Sequence, residues 1–210
     1  MAPVMTPRRC LIVRAHPLGD SLNAHLAALA QVAAQAAGWQ VTLRDLYASG
    51  FDPRLSADER TTYYTGFAGD GIAAEQAELA AAEILILMFP TWWSGFPAIL
   101  KGWFDRVWSP GTAFDHAPHF GPMLPRLGRL REVLAITTMG SPPLVDWLVL
   151  RRPLRRILTW GIVRPCAPGA KVRWRCLYQA ETADPRRIAR FKASLGTDIN
   201  AIARRLQCPE

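Results

Sequence analysis

The chain alternates between short apolar runs and longer stretches whose apolar residues recur every three or four positions. Cys10–Val13, Ile84–Phe89 and Val133–Thr138 are the runs. Ile84–Phe89 has no polar member, as expected of a strand covered on both faces. Trp39–Leu43 alternates like a strand, and a further strand falls within Ile162–Tyr178. Between the runs lie helical patterns. Ser21–Ala37 carries Leu22, Leu26, Leu29 and Ala33 on one face, with Gly38 as its stop. Asp70-Gly71 opens a second alanine-rich helix, Ile72–Ala82. In the third, Phe96, Ile99, Leu100, Trp103, Phe104, Val107 and Trp108 form a wide apolar stripe. Residues 144–160 read as a helix with a basic face, Pro185–Ala203 as a closing helix, and 47–69 as polar and irregular. Strand and helix in alternation predict βαβ units, hence a parallel sheet with helices on both faces.

Half the residues are apolar and a fifth charged, a globular composition, and 210 residues is room for one ordinary domain spanning 1–210. The net charge of +8 suggests nucleic acid until it is divided along the chain. Residues 1–105 hold seven Lys/Arg against ten Asp/Glu, and 106–210 hold eighteen against seven. A nucleic-acid binder would not leave its first half acidic, so no nucleic-acid partner is expected. Cys10, Cys166, Cys176 and Cys208 form no CxxC pair and have no histidine at zinc-finger spacing. They read as reduced, mostly buried thiols, with no metal site and no disulfide scaffold. The longest apolar run falls far short of the roughly 20 residues of a membrane span. The opening Met-Ala-Pro-Val-Met-Thr-Pro-Arg-Arg lacks the order of a signal peptide, so a cytoplasmic protein is expected.

In a parallel sheet ligands bind beyond the carboxyl ends of the strands, which directs attention to three loops. The first, His16 to Asn23, follows a strand and opens a helix. Free N–H groups and the positive end of the helix dipole would point outward there, joined by Ser21 and Asn23. It has no GxxxxGK[ST] lysine, which argues against NTP hydrolysis. Simple capping by Asp20 or Ser21 is the plainer alternative. The second, Pro90-Thr91-Trp92-Trp93-Ser94-Gly95-Phe96-Pro97, places two tryptophans between prolines. At least one would present a flat face or indole N–H to a planar ligand, unless both pack between helices or at a subunit contact. The third, Thr137-Thr138-Met139-Gly140-Ser141-Pro142, offers hydroxyls and N–H groups to a polar ring edge, or is an ordinary β-to-α turn.

At these residues the sequence resembles the flavodoxin-like NAD(P)H:quinone oxidoreductases, the DT-diaphorase and modulator-of-drug-activity type. The likeness runs through Ala15-His16 to Ser21 and Asn23, Asp45-Leu46-Tyr47, Phe51-Asp52-Pro53 and Ala74-Glu75-Gln76. It is strongest from Phe89-Pro90 and Trp93 through Pro97-Ala98-Ile99-Leu100-Lys101-Gly102-Trp103-Phe104-Asp105-Arg106-Val107, then Ile136-Thr137-Thr138, and covers roughly residues 8–180. The resemblance implies a doubly wound, five-stranded parallel sheet binding a flavin: FAD, with FMN as the alternative. His16, Ser21, Leu22 and Asn23 would hold the phosphate-bearing tail. Pro90, Thr91, Trp92, Trp93 and Ser94 would line the isoalloxazine, and Thr137, Thr138, Met139 and Gly140 its pyrimidine edge. It further implies two-electron, ping-pong hydride transfer from NADPH or NADH through flavin N5 to a quinone. The active site would lie at a homodimer interface formed by the Phe96–Trp108 helix.

Three departures stand out. The third loop usually reads Thr-Thr-Gly-Gly, and here Met139 takes the first glycine position, where a side chain would crowd the flavin or force a different turn. The Tyr and His that mammalian members place after this loop are missing from 141–160, which leaves His116, His119 or solvent water as proton sources. That stretch carries Arg151-Arg152-Pro153-Leu154-Arg155-Arg156 instead. Arg151 and Arg152 suit the 2′-phosphate of NADPH; a solvated helix face and attraction to an anionic membrane surface are the other readings. Alternatives to quinone reduction are a flavin-binding regulatory subunit of a potassium-efflux-type transporter and an azo or nitro reductase on the same scaffold.

Overall fold

The computed structural model describes residues 7–207, so Cys208 and the opening Met-Ala-Pro-Val-Met-Thr lie outside the described residues. Five parallel strands form one sheet: β1 (Arg9–Arg14), β2 (Gln40–Asp45), β3 (Ile84–Pro90), β6 (Glu132–Met139) and β7 (Lys171–Tyr178), in the order β2-β1-β3-β6-β7. Two short strands, β4 (Phe114–Asp115) and β5 (Leu124–Pro125), pair antiparallel as a separate ribbon. The helices are α1 (Leu22–Ala36), α2 (Ala57–Thr62), α3 (Ala73–Ala81), α4 (Ala98–Val107), α5 (Pro153–Arg156), α6 (Arg164–Cys166) and α7 (Pro185–Gln207). Two wider π-type turns, Val145–Val149 and Ile157–Val163, flank α5.

The apolar runs have a direct cause in this layering. Along β3, Ile84, Ile86 and Met88 join the core under α1 and α7, while Leu85, Leu87 and Phe89 join the core under α3 and α4. Every residue of β3 and β6 is buried, including the carboxylate of Glu132, which meets Arg173 and Arg205. A sheet covered on both faces turns the two-residue period of a strand into a continuous apolar run.

Several elements differ from their sequence expectations. In α1 the buried side is Asn23, Ala24, Leu26, Ala27, Ala30 and Ala34, and Leu29 is exposed. The helix has turned its small residues inward to approach the sheet and α7 closely. The second strand starts at Gln40, and Trp39 is buried beneath α1. The irregular stretch 47–69 contains α2, opened by a capping box in which Ser56 and Glu59 bond each other's backbone N–H groups. Residues 144–160 are not one helix: Arg151 and Arg152 take left-handed backbone, φ 58° and 52°, and break it. The closing helix runs on to Gln207.

The apolar stripe of the third helix is spent largely inside its own chain. Phe96 precedes α4, and Leu100, Trp103 and Val107 are fully buried against the sheet. On the opposite side, Gly102 lets Pro53 approach so closely that a Cβ there would lie 2.2 Å from the Pro53 carbonyl oxygen. Next to it, Arg106 forms a buried ion pair with Glu59, its Nη2 2.6 Å from Oε1, and also donates to the carbonyls of Asp52 and Asp70. This side chain therefore fastens the 52–70 segment to α4. Burial pushes the Glu59 carboxyl up, but Arg106 and the Ser56 N–H outweigh it and hold it below its ordinary 4.5. No helix among the described residues is long and apolar enough to cross a membrane.

Candidate functional site

The strand order reverses direction between β1 and β3, with α1 leaving over one face and α3 and α4 over the other. Splayed connections at such a switch point open a crevice at the carboxyl edge. His16 to Ser21 follow β1 there, Thr91 to Pro97 follow β3, and Gly140 to Pro142 follow β6. Pro90 is the last residue of β3, and Thr137, Thr138 and Met139 are the last three of β6, strand residues and not loop.

Side chains bind the three segments to one another. Asn23, 3% exposed, donates from Nδ2 to Thr138 Oγ1 at 3.1 Å, joining the start of α1 to the end of β6. Thr91 donates its N–H to the Thr138 carbonyl at 2.7 Å, and its hydroxyl meets that of Thr137 at 2.9 Å. His16 lies against Trp92, ring centroids 6.4 Å apart, and its Nδ1 accepts the Leu18 N–H. Partial burial, with Arg14 nearby, holds the His16 imidazole below its ordinary 6.5 and favours the neutral ring.

Each segment keeps something for a ligand. Ser21 caps α1 through the Ala24 N–H, whereas the Leu22 and Asn23 N–H groups precede any intrahelical acceptor, and no acidic residue occupies the first turn. The buried Asn23 Oδ1 has no hydrogen-bond partner, an orphan that a ligand hydroxyl would satisfy. Trp92 and Gly95 exchange backbone hydrogen bonds around a tight turn with Trp93 and Ser94 both left-handed, φ 51° and 55°. Trp93 is fully exposed and Trp92 is 43% exposed, two indoles held on a rigid turn beside the crevice. Met139 keeps strand backbone paired with Tyr178, its side chain buried, so no left-handed turn is required at that position. Gly140 lies against the carboxylate of Glu181. A helix N-terminus, an orphan amide oxygen and exposed flat rings fit a phosphate, a polyol and a planar ring, the three parts of a flavin nucleotide.

The other sequence candidates lie elsewhere. His116 stacks on Tyr64 at 4.7 Å, also touches Tyr63 and Phe114, and with His119 and Met123 lines a concavity of about 330 Å³. Its ring neighbours come from none of the three segments. A second cavity, about 290 Å³, opens between the exposed edge of α4 (Lys101, Asp105) and Ile157 and Gly161. Cys10, Cys166 and Cys176 are free, and burial pushes their thiols up to about 12, 11 and 12, which keeps them unreactive. Among the described residues no group of three or more His, Cys, Asp or Glu is placed to hold a metal. Sequence reasoning missed a cluster beside the third segment: the Tyr178 hydroxyl donates to buried Asp146 at 2.7 Å and accepts from Trp147 Nε1 at 2.9 Å. No spacing rule points to it, because its members lie 32 residues apart.

Sheet order, two-faced core and switch-point crevice together define an open, doubly wound α/β protein. Residues 8–158 match the model of the flavodoxin-like fold family, and the chain belongs to that family. It is 35% identical over 185 residues to NAD(P)H dehydrogenase (quinone) 1 of Rattus norvegicus, covering 77% of this chain and 66% of the rat protein. The chain spans about half to two thirds of the length of the curated relatives it matches. A Streptococcus mutans UA159 crystal structure superposes with a TM-score of 0.79 at 26% identity, covering 91% of this chain and 98% of its own. An NAD(P)H:quinone oxidoreductase from Methanothermobacter marburgensis gives the same TM-score at 20% identity over 98% of this chain and all of its own, a likeness of fold.

Proposed function

We propose that this chain is a flavin-dependent NAD(P)H:quinone oxidoreductase, a single cytoplasmic flavodoxin-like domain using FAD, with FMN the alternative, and NADPH or NADH as donor. One observation carries the reading: the bonds Asn23–Thr138 and Thr91–Thr137 draw the three segments into one preorganised crevice. The names of the relatives, the rat NAD(P)H dehydrogenase (quinone) among them, support the same reading.

A bound flavin would supply the redox chemistry, taking hydride from the nicotinamide and passing it to a quinone in turn. The Leu22 and Asn23 N–H groups and the dipole of α1 would hold the phosphate without a side-chain cation. A neutral His16 adds a donor there without adding charge. The Asn23 amide would fix a hydroxyl of the tail. Trp92 and Trp93 would wall the ring and keep water from one face of it. N–H groups between Thr138 and Ser141 would stabilise negative charge developing at the ring's polar edge. His116 and His119 lie away from this crevice in their own chain and would reach a reacting quinone oxygen only from a second copy. The cavity beside Lys101, Asp105 and Ile157 is where we place the contact between the two copies.

An absorbance spectrum of the purified protein, with chromatography of the released cofactor, tests the proposal. Bands near those of oxidised flavin and NAD(P)H-dependent reduction of a soluble quinone are expected. Colourless protein that takes up neither FAD nor FMN would end it.

A further inference from the structure

The Arg151–Arg156 stretch is held in a way its sequence does not announce. Arg151 and Arg152 are consecutive residues with left-handed backbone, φ 58° and 52°, a conformation that L side chains rarely adopt. The Arg152 N–H donates to the Asp146 carbonyl at 2.7 Å, and its guanidinium lies over the Trp147 ring, 4.6 Å from the centroid. The Asp146 carboxylate, 4% exposed, accepts the Tyr178 hydroxyl, which in turn accepts the Trp147 indole N–H. Tyr178 is the register partner of Met139, and the Gln179 N–H donates to the Ser141 carbonyl. The loop from Gly140 to Arg152 is thus tied to the end of β7 at Ser141 and at Asp146 and Trp147, and Arg152 is fastened back onto Asp146. That hangs the two arginines, through Asp146 and Trp147, on the strand that pairs with the third segment of the crevice.

Charge adds an independent observation. Arg14, Arg44, Arg106, Arg173, Arg175 and Arg205 each meet a carboxylate. Among the described residues, Arg151, Arg152, Arg155 and Arg156 form no ion pair, as is also true of exposed arginines such as Arg60, Arg129 and Arg190; Arg151 and Arg152 differ from those in their left-handed backbone. Guanidiniums left without a counter-charge, on backbone held in an unfavourable conformation beside a ligand crevice, suit a doubly charged phosphate.

We propose that Arg151 and Arg152 bind the 2′-phosphate of NADPH, with Asp146, Trp147 and Tyr178 as the positioning residues that hold them to it. The identity of the nucleotide rests on the oxidoreductase reading above; the phosphate site and its support rest on the cluster itself. The reaction is unaffected in kind, and the cluster selects between two donors that differ by one phosphate.

The test is calorimetric titration of the purified protein with adenosine 2′,5′-bisphosphate and with adenosine 5′-monophosphate, at low and moderate salt. The bisphosphate should bind tighter by about tenfold or more, the scale of one or two charge-assisted hydrogen bonds. Salt should shrink the difference. Arg151→Ala and Arg152→Ala should each reduce it. Tyr178→Phe should do the same while leaving monophosphate binding unchanged, which a general loss of structure would not do. Thermal unfolding checks each variant, and Trp147→Phe removes the same hydroxyl's donor if Tyr178→Phe does not fold. Equal binding of the two nucleotides by the parent protein would overturn the site. Full discrimination in Tyr178→Phe and Trp147→Phe, with loss in Arg152→Ala, would overturn the positioning role. The titration needs neither bound flavin nor turnover. Protein that takes up neither FAD nor FMN yet still discriminates would sink the oxidoreductase reading and uphold the phosphate site, and flavin-bearing protein that does not discriminate would do the reverse.

Discussion

Replacing Gly102 by alanine sets two known effects against each other in the middle of α4. In a helix interior alanine is favoured over glycine by about 1 kcal/mol. Here the added methyl would lie 2.2 Å from the Pro53 carbonyl oxygen, with the Pro53 Cβ and Cα at 2.4 and 2.5 Å. Ordinary contact requires roughly 1 Å more, and overpacking of that kind costs about 1–3 kcal/mol. All three are backbone or ring atoms, so no rotamer change relieves the clash, and the cost belongs at the upper end. The net expectation is a loss of about 1–2 kcal/mol, which at this chain length lowers Tm by about 2–8 °C. Gly196→Ala in α7 is the control, since a Cβ there meets nothing within 4 Å. It should stabilise by up to about 1 kcal/mol. Thermal and urea unfolding at fixed flavin saturation would compare them. If Gly102→Ala is as stable as the parent, or shifts in the same direction as Gly196→Ala, the packing argument is wrong.

Glu59→Gln leaves the Arg106 guanidinium buried without its counter-charge and should cost about 3–5 kcal/mol in urea unfolding. The same pair sets an acid limit. The folded value of Glu59 lies below its ordinary 4.5, so its stabilisation is complete above about pH 4.5 and is lost as pH falls through the folded value. The pH dependence of unfolding should accordingly be shallower in Glu59→Gln between pH 5 and 3, and an unchanged slope would count against the pair. Asn23→Ala removes the tie to Thr138 and the orphan oxygen together. It should lower stability by about 1 kcal/mol and weaken flavin retention, and protein that retains its full complement of flavin would show that the amide does not face the tail.

The sheet and its carboxyl edge were legible because they depend on local pattern. Ile84–Phe89 reads as a two-faced strand from its composition alone, and the apolar stripe from Ile99 to Trp108 reads as a helix from its period. The three segments of the crevice followed, because each begins where a strand ends. What could not be read rests on contacts between distant residues. Glu59 and Arg106 lie 47 positions apart, and their bond orders a stretch that looks irregular, although the Ser56–Glu59 capping box was a usable sign of α2. The break at Arg151 and Arg152 depends on Asp146 and on Tyr178 of another strand. Which side of α1 faces inward was decided by close approach to α7, which favoured alanine over Leu29. In the site, the place of the third loop at a strand end and the family resemblance suggested Thr137 and Thr138 as ligand contacts. What the structure shows is that their hydroxyls brace Thr91 and Asn23.

The Trp92–Gly95 turn has a consequence for how this protein would respond to selection. Trp93 and Ser94 occupy backbone that glycine adopts freely and L residues adopt at a cost of about 1–2 kcal/mol each. Trp93 recovers none of that by packing, since it is fully exposed. If Trp93 walls a bound flavin as proposed, stability and occupancy of the crevice pull in opposite directions at that residue. Trp93→Gly should raise the melting temperature of flavin-free protein while reducing its affinity for flavin. A screen for heat resistance alone would favour that change and discard the site, whereas a screen for colour retained after heating would keep the tryptophan and look for its gains elsewhere.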